Sequence, residues 1–395
     1  MLFRHKLCPA LLLLPMIVCG AAPTLPGVTA AMQSDVAAND RSGSVTVVVT
    51  KDKVLHLEAL GFADLEKKTP MRTDSVLWIA SMTKPITAVS VLMLQDEGKL
   101  NVADPIAKYI PAFADLKTPS GKAANLTLAQ ALTHTSGLGE GDNGALGKCR
   151  TLAEMMPIFL AAPMQYEPGA KWRYTQSGIN VAARIVEVVS GQSFDAFVQA
   201  RILEPLGMKN TTFYPEGDEA ARRVAGYWKD QKTGQLEPVI LPPAFGTRGH
   251  APLGNGGLFS TGPDYARFCQ MLLNGGELDG KRYLSPESFK LMTTVQTGDL
   301  PTGFLQSAEY GYRGVNYGWG IGTCILRAPH PGVAAMLSPG TFGHGGAWGT
   351  QAWIDPVRGV AYVLMVQRPN VANADASDVR RAFQQAAADA LAKQP

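Results

Sequence analysis

The stretch WIASMTKPIT, Trp78 to Thr87, decides how this chain is read. An apolar run ends there, Ser81 and Lys84 stand three apart, and Pro85 with further apolar residues follows. Ser is a good residue to open a helix, and ITAVSVLMLQDEGKL is a nearly all-apolar helical pattern that Gly98 closes. On that helix Ser81 and Lys84 share a face one turn apart, within reach of each other. A Ser hydroxyl is a poor nucleophile until a neighbour takes its proton, and a desolvated amine is such a neighbour. The helix dipole also favours negative charge developing at Ser81. The spacing alone is not specific, because a chain of this length carries a Ser-x-x-Lys by chance.

Outward from that stretch, the pattern runs from strand-rich to helical and back. SVTVVVT and VLHLEALGFA around Lys51–Asp52–Lys53 predict a hairpin. LTLAQALTH, GINVAARIVEVV, SFDAFVQARIL and GPDYARFCQMLL predict helices in the middle of the chain. YGWGIGTCIL, TQAWIDP and GVAYVLMVQ return to strand, and the last segment is an amphipathic helix with Val379, Phe383, Ala386 and Ala390 on one stripe. The expected fold is therefore α/β of the α+β kind. One antiparallel sheet is assembled from both chain ends and flanked by helices, beside a mostly helical second subdomain. The expected division is 31–80 with 305–395 for the sheet part and 81–304 for the helical part. A site would lie in the crevice between them.

With 46% apolar and 17% charged residues the composition is globular, and a scattered net charge of +3 gives no case for nucleic acid. Arg4, His5 and Lys6 precede a hydrophobic segment too short to span a membrane, with small residues at GVTAAM. This predicts a signal peptide over 1–30, cut after Ala30, and a protein exported to the periplasm or secreted, with no membrane span afterwards. Three Cys then remain, Cys149, Cys269 and Cys324, enough for one disulfide with a thiol left over; Cys269 sits in a helical pattern and should be packed. No C-x-x-C or H-E-x-x-H occurs, so neither a metal nor an organic cofactor is expected. Gly275 to Lys281 mimics a phosphate loop, but Arg282 stands where Ser or Thr is needed, and a surface turn is expected. His134 in THTSG is read as a loop-stabilising residue.

Two more segments sharpen the reading of Ser81. PGAKWRYTQSGIN sets Tyr174 between a Pro-Gly turn and a helix start. PGTFGHGGAWGTQAWIDP sets His344–Gly345–Gly346 before a strand, where missing side chains let a ligand approach the backbone. With LTHTSGL and NGGLFSTGPDYARF in the same order, the mature chain resembles the serine β-lactamase and D,D-peptidase-like hydrolases. The likeness is to their class C-type branch, which includes carboxylesterases. The resemblance implies a β-lactamase/transpeptidase-like fold and an acyl-enzyme on Ser81, with Lys84 and Tyr174 as its base. It implies an oxyanion hole from the backbone N–H groups of Ser81 and Ala347, and substrate contacts from Gln176, His344, Gly345 and Gly346. The partner would be a small-molecule ester, lactam or peptide.

Two positions depart from the family pattern. Gln176 replaces the usual Asn of Tyr-x-Asn, which changes the reach of the amide. His344 replaces the Lys that gives β-lactamases a fixed positive charge for the drug's carboxylate. These departures favour an esterase of this family over an efficient β-lactamase, with a D,D-peptidase acting on cell-wall-type peptides as the alternative. The intact Ser81, Lys84 and Tyr174 argue against a non-catalytic wall-peptide-binding protein, and the absence of a Gly-x-Ser-x-Gly elbow removes the α/β-hydrolase route to an esterase. Trp172, Tyr227, Trp228 and Trp348 are candidates for an acyl pocket.

Overall fold

Val45, Val47 and Val49 alternate with Ser44, Thr46 and Val48 in the strand Gly43–Val49, and every residue of it is buried. A strand buried on both faces has to sit inside a sheet with a layer on each side. In the computed structural model, which describes residues 22–242, 245–302, 316–329, 334–369 and 378–393, it does. The sheet has eight strands, in the order Tyr317–Trp319, Cys324–Leu326, Phe342–Gly345, Gln351–Asp355, Val360–Met365, Gly43–Val49, Val54–Asp64 and Thr69–Pro70. All neighbours are antiparallel. The two chain ends meet where Val47 pairs with Val363, and the expected hairpin places Val48 opposite His56.

The alternation sorts the side chains into two cores. Val45, Val47, Val363 and Met365 face the helices Thr83–Asp96 and Gly262–Leu273, while Val48, Tyr362, Leu364 and Trp353 face the other way. The helix Gly262–Leu273, from the middle of the chain, lies on the sheet. Gly262 makes that close approach possible, since a Cβ there would meet Val47 at 2.9 Å. The second face is covered by the helices Pro26–Ala37 and Asp378–Ala392, through Val28, Met32, Val379 and Phe383. On the last helix Ala387 is fully buried and Ala386 and Ala390 only partly, so the stripe runs slightly to one side of the expected one.

Residues 23–30 fall inside the expected signal peptide, yet here they are part of the fold. Leu57 donates to the Pro23 carbonyl, Leu25 donates to His56 Nδ1 at 2.9 Å, and Val28 is buried. A cut after Ala30 would take Leu25 and Val28 out of the core. The small residues of GVTAAM that resemble a cleavage site are here a face on which two helices pack, with Gly27 against the backbone of Ala386. The basic and apolar start of the chain lies outside the described residues.

Cys149, Cys269 and Cys324 are all buried. The helix Thr83–Asp96 is buried from Thr83 through Leu94, and Gly98 just past its end adopts φ 69. Gly275 to Lys281 falls in a small hairpin in which Leu278 pairs with Lys281, a turn and not a nucleotide site. Among the described residues no helix is long and apolar enough to cross a membrane.

Candidate active site

Ser81 sits in the single 3-10 turn Ala80–Met82 that leads into the helix Thr83–Asp96. Ala80 holds φ 45, a left-handed conformation that costs a residue with a Cβ of the order of 1 kcal/mol or more and is typical of functional turns. One helical turn on, Lys84 is fully buried. Its Nζ lies 2.9 Å from Ser81 Oγ, 2.9 Å from Gln176 Oε1 and 2.7 Å from the Asn255 carbonyl. Three acceptors match the three N–H bonds of an ammonium. With a neutral amine the Ser81 hydroxyl donates instead, to the nitrogen lone pair. Nζ also stands 4.6 Å from the centroid of the Tyr174 ring, which brings the third expected residue to the pair.

His344 lies behind Tyr174, with Nε2 3.5 Å from the phenol oxygen. Its Nδ1 is 2.6 Å from the Gly345 carbonyl, which can only accept, so the proton resides on Nδ1 and Nε2 keeps a lone pair. Burial, and then the Lys84 charge, hold the imidazole down at about 3. His344 is 2% exposed and neutral, so its ring is turned inward. The next residues explain the glycines. A Cβ on Gly346 would lie 2.6 Å from the Ile79 carbonyl, so only Gly lets this hairpin press against the turn that carries Ser81. Gly346 donates to Thr350 and accepts from Gly349, and this tight turn leaves Ala347 exposed beside the turn that carries Ser81.

Two residues to which the sequence reading gave no role complete the arrangement. Asn255 offers its carbonyl to Lys84 and its Nδ2–H to Gln176 Oε1 at 2.9 Å, so the Gln176 oxygen accepts from two donors at once. The segment NGGLFSTGP was the available signal, though it does not say which atom acts. Glu140 accepts from the backbone N–H groups of Gln176 (2.7 Å) and Ser177 (2.9 Å), at the first turn of the helix Ser177–Ser190. A carboxylate there satisfies orphan donors and complements the helix dipole. Nothing local in sequence marks an acid that caps a helix 37 residues later.

The aromatic candidates divide. Trp348 packs edge-on to Trp78 with centroids 5.5 Å apart, next to Ala347, and Trp172 lies 6.4 Å from Tyr174. Tyr227 and Trp228 sit on the strand Gly226–Lys229, where the Tyr227 hydroxyl accepts from the Leu65 N–H. His134 stabilises its loop as expected, its carbonyl accepting from the Arg173 N–H at 3.0 Å and from the Tyr166 hydroxyl. A cleft of about 690 Å³ adjoins this region, lined by Leu138, Glu140, Ile158, Ala162, Arg173 and Thr175.

A buried Lys touching a Ser hydroxyl, with a Tyr ring over the amine, is the layout of a serine acyl-transfer centre. The model of the Beta-lactamase family matches residues 28–387. The chain belongs to the beta-lactamase family. By that membership it is a serine hydrolase of the β-lactamase/transpeptidase-like fold. An Escherichia coli (strain K12) protein provisionally named a D-alanyl-D-alanine carboxypeptidase is 30% identical over 363 residues, 84% of this chain and 80% of the relative. Esterase EstB of Burkholderia gladioli is 28% identical over 345 residues, 82% of this chain and 85% of the relative. Among solved structures, EstCE1, described as a hydrolase with promiscuous acyltransferase activity, superposes with a TM-score of 0.75 at 21% identity. That match covers 92% of this chain and 97% of EstCE1.

Proposed function

We propose that the protein cleaves neutral carboxylic esters through an acyl-enzyme on Ser81. Ser81 Oγ attacks the ester carbonyl while its proton passes to the Lys84–Tyr174 pair. The N–H groups of Ser81 and Ala347 receive the developing oxyanion. The C–O bond to the alcohol then breaks and the pair returns the proton to the departing oxygen. A water molecule attacks the acyl carbon, gives its proton to the same pair and releases the acid, restoring the Ser81 hydroxyl.

One observation carries the choice of ester. At the position where a β-lactamase holds a Lys for a carboxylate, His344 is buried and neutral, with one nitrogen on the Gly345 carbonyl and the other toward Tyr174. A substrate carboxylate gains little from a neutral, inward-facing imidazole. Kinship with EstB supports this reading, and the D-alanyl-D-alanine carboxypeptidase name of the E. coli relative supports the peptidase alternative. Export remains part of the proposal, on the basic and apolar start of the chain. The burial of Leu25 and Val28 favours a cut ahead of Pro23.

The test is a substrate panel of p-nitrophenyl esters, nitrocefin and a D-Ala-D-Ala peptide, run with wild type and Ser81→Ala. Ester hydrolysis lost in Ser81→Ala, together with fluorophosphonate labelling of Ser81 in the wild type, is expected. A kcat/KM for nitrocefin or the peptide above that of every ester would reverse the assignment.

A further inference from the structure

We propose that His134 is a positioning residue for Tyr174, holding the phenol at Lys84 from its backbone on both sides and from its ring face. The inference rests on Tyr174 serving as part of the base. The peptide N–H before Tyr174, that of Arg173, donates to the His134 carbonyl at 3.0 Å. The one after it, that of Thr175, donates to His134 Nδ1 at 3.3 Å. A single residue thereby fixes the backbone on either side of the phenol. Its ring then packs on the Tyr174 ring, centroids 4.5 Å apart and planes at 44°, so rotation of the phenol is opposed as well.

Three further features show that the fold keeps an imidazole here at a cost. His134 holds φ 61, left-handed backbone that a non-Gly residue occupies only where its surroundings enforce it. Because Nδ1 accepts, the proton is on Nε2, and Nε2 is buried with no hydrogen-bond partner among the described residues. Around it stand aromatic rings, Trp319 at 5.0 Å and Trp172 at 6.0 Å, both edge-to-face. A buried polar atom without a partner is destabilising, so loop stability alone is better served by another side chain. What the imidazole supplies is an acceptor for Thr175 N–H and a flat face for Tyr174 in one group.

Neutrality follows from the site. Burial, then the charge of Lys84, then His344 hold His134 well below the usual imidazole range. A cation there would lie close to the Lys84 ammonium, since the His134 ring and Lys84 Nζ stand 4.5 Å and 4.6 Å from the Tyr174 ring centre, so the same geometry that positions the phenol favours the uncharged form.

Two substitutions separate the functions of the ring. His134→Phe keeps a flat face and loses the acceptor. His134→Asn keeps an acceptor near the Nδ1 position, tolerates left-handed backbone and loses the face. The experiment is p-nitrophenyl acetate hydrolysis across about pH 5 to 9, normalised to Ser81 titrated with a fluorophosphonate, with Tyr174→Phe alongside. A tenfold or larger fall in kcat for His134→Phe is expected, with KM little changed and the pH profile moved; His134→Asn should recover part of the rate. A merely structural residue would lower the melting temperature and leave kcat per titrated Ser81, and its pH profile, within twofold of wild type. That outcome overturns the proposal. If neither variant folds, nitrogen-15 spectra of wild-type imidazoles decide. A neutral, Nε2-protonated His134 whose signal shifts when Ser81 is acylated is expected, and a cation at pH 6 or an Nδ1-protonated ring refutes it. Wild-type rates in Tyr174→Phe would instead remove Tyr174 from the base. An inactive Tyr174→Phe with unaffected His134 variants would overturn this inference alone.

Discussion

Gly346→Ala tests whether the hairpin tip and the nucleophile turn form one rigid unit. Gly346 is not in the left-handed region, so the backbone accepts Ala and the effect is purely steric. The new methyl would stand 2.1 Å from Thr350 Oγ1 and 2.6 Å from the Ile79 carbonyl oxygen. Thr350 can swing away, giving up its 3.3 Å bond to the same carbonyl, but Ile79 is main chain in the turn that sets Ser81. Relief from 2.6 Å to an ordinary 3.4 Å contact needs a retreat of about 0.8 Å. A donor displaced by that much falls outside the roughly 2.7–3.2 Å range of N–H···O bonds and no longer bonds an oxyanion well. Losing one oxyanion donor lowers kcat by about 100-fold, or about 2.7 kcal/mol of barrier. KM should change little, because the interaction is made chiefly in the transition state. Overpacking should also lower stability by about 1–3 kcal/mol. Steady-state hydrolysis of p-nitrophenyl acetate, corrected by active-site titration, measures the rate, and urea unfolding measures stability. A kcat within threefold of wild type would refute the coupling of this hairpin to the oxyanion.

Three further outcomes are expected. Gln176→Asn shortens the side chain by about 1.5 Å, so the amide oxygen cannot accept from both Lys84 and Asn255. The loss of a bond to a charged group is about 1.5 kcal/mol, seen as a tenfold or larger fall in kcat; an unchanged rate would show that Lys84 needs no such anchor. Glu140→Ala strips the acceptor from Gln176 N–H and Ser177 N–H and should cost about 1–2 kcal/mol in urea unfolding, with Glu140→Gln intermediate. Burial depresses His56 from 6.5 to about 4 in the folded state, so its contribution to stability is full above pH 6.5 and is lost as pH falls toward 4. Melting temperatures should therefore drop over that window, and less steeply in His56→Asn, whose amide can still accept from Leu25; a rise on acidification would contradict the burial.

Several parts of the site were legible because the chain itself sets the distances. Ser81 and Lys84 are three residues apart, the one on a 3-10 turn that runs straight into the helix carrying the other, so local helical geometry sets their contact. The hairpin around Lys51–Lys53 and the glycines after His344 carry equally local signals, turn chemistry in one case and close backbone approach in the other. His344 itself was legible as a position but not as an orientation. Its inward ring depends on the Gly345 carbonyl and on Tyr174, which comes from 170 residues away. Asn255 and Glu140 act through a backbone carbonyl and a cap across the fold, functions that leave no periodic mark in a sequence.

What the sequence alone determined is the Ser81–Lys84 contact, the strand and helix order and the family resemblance, because each depends on local spacing or motif order. Tertiary structure decided the rest. Closure of the sheet from the two chain ends brings Gly346 against Ile79, and the Tyr174 segment is held over Lys84 by His134 and Glu140. It also packs GVTAAM as a helix face, with Leu25, Val28 and Met32 buried against the last helix and the sheet, a contact that small residues suit and that local sequence does not reveal.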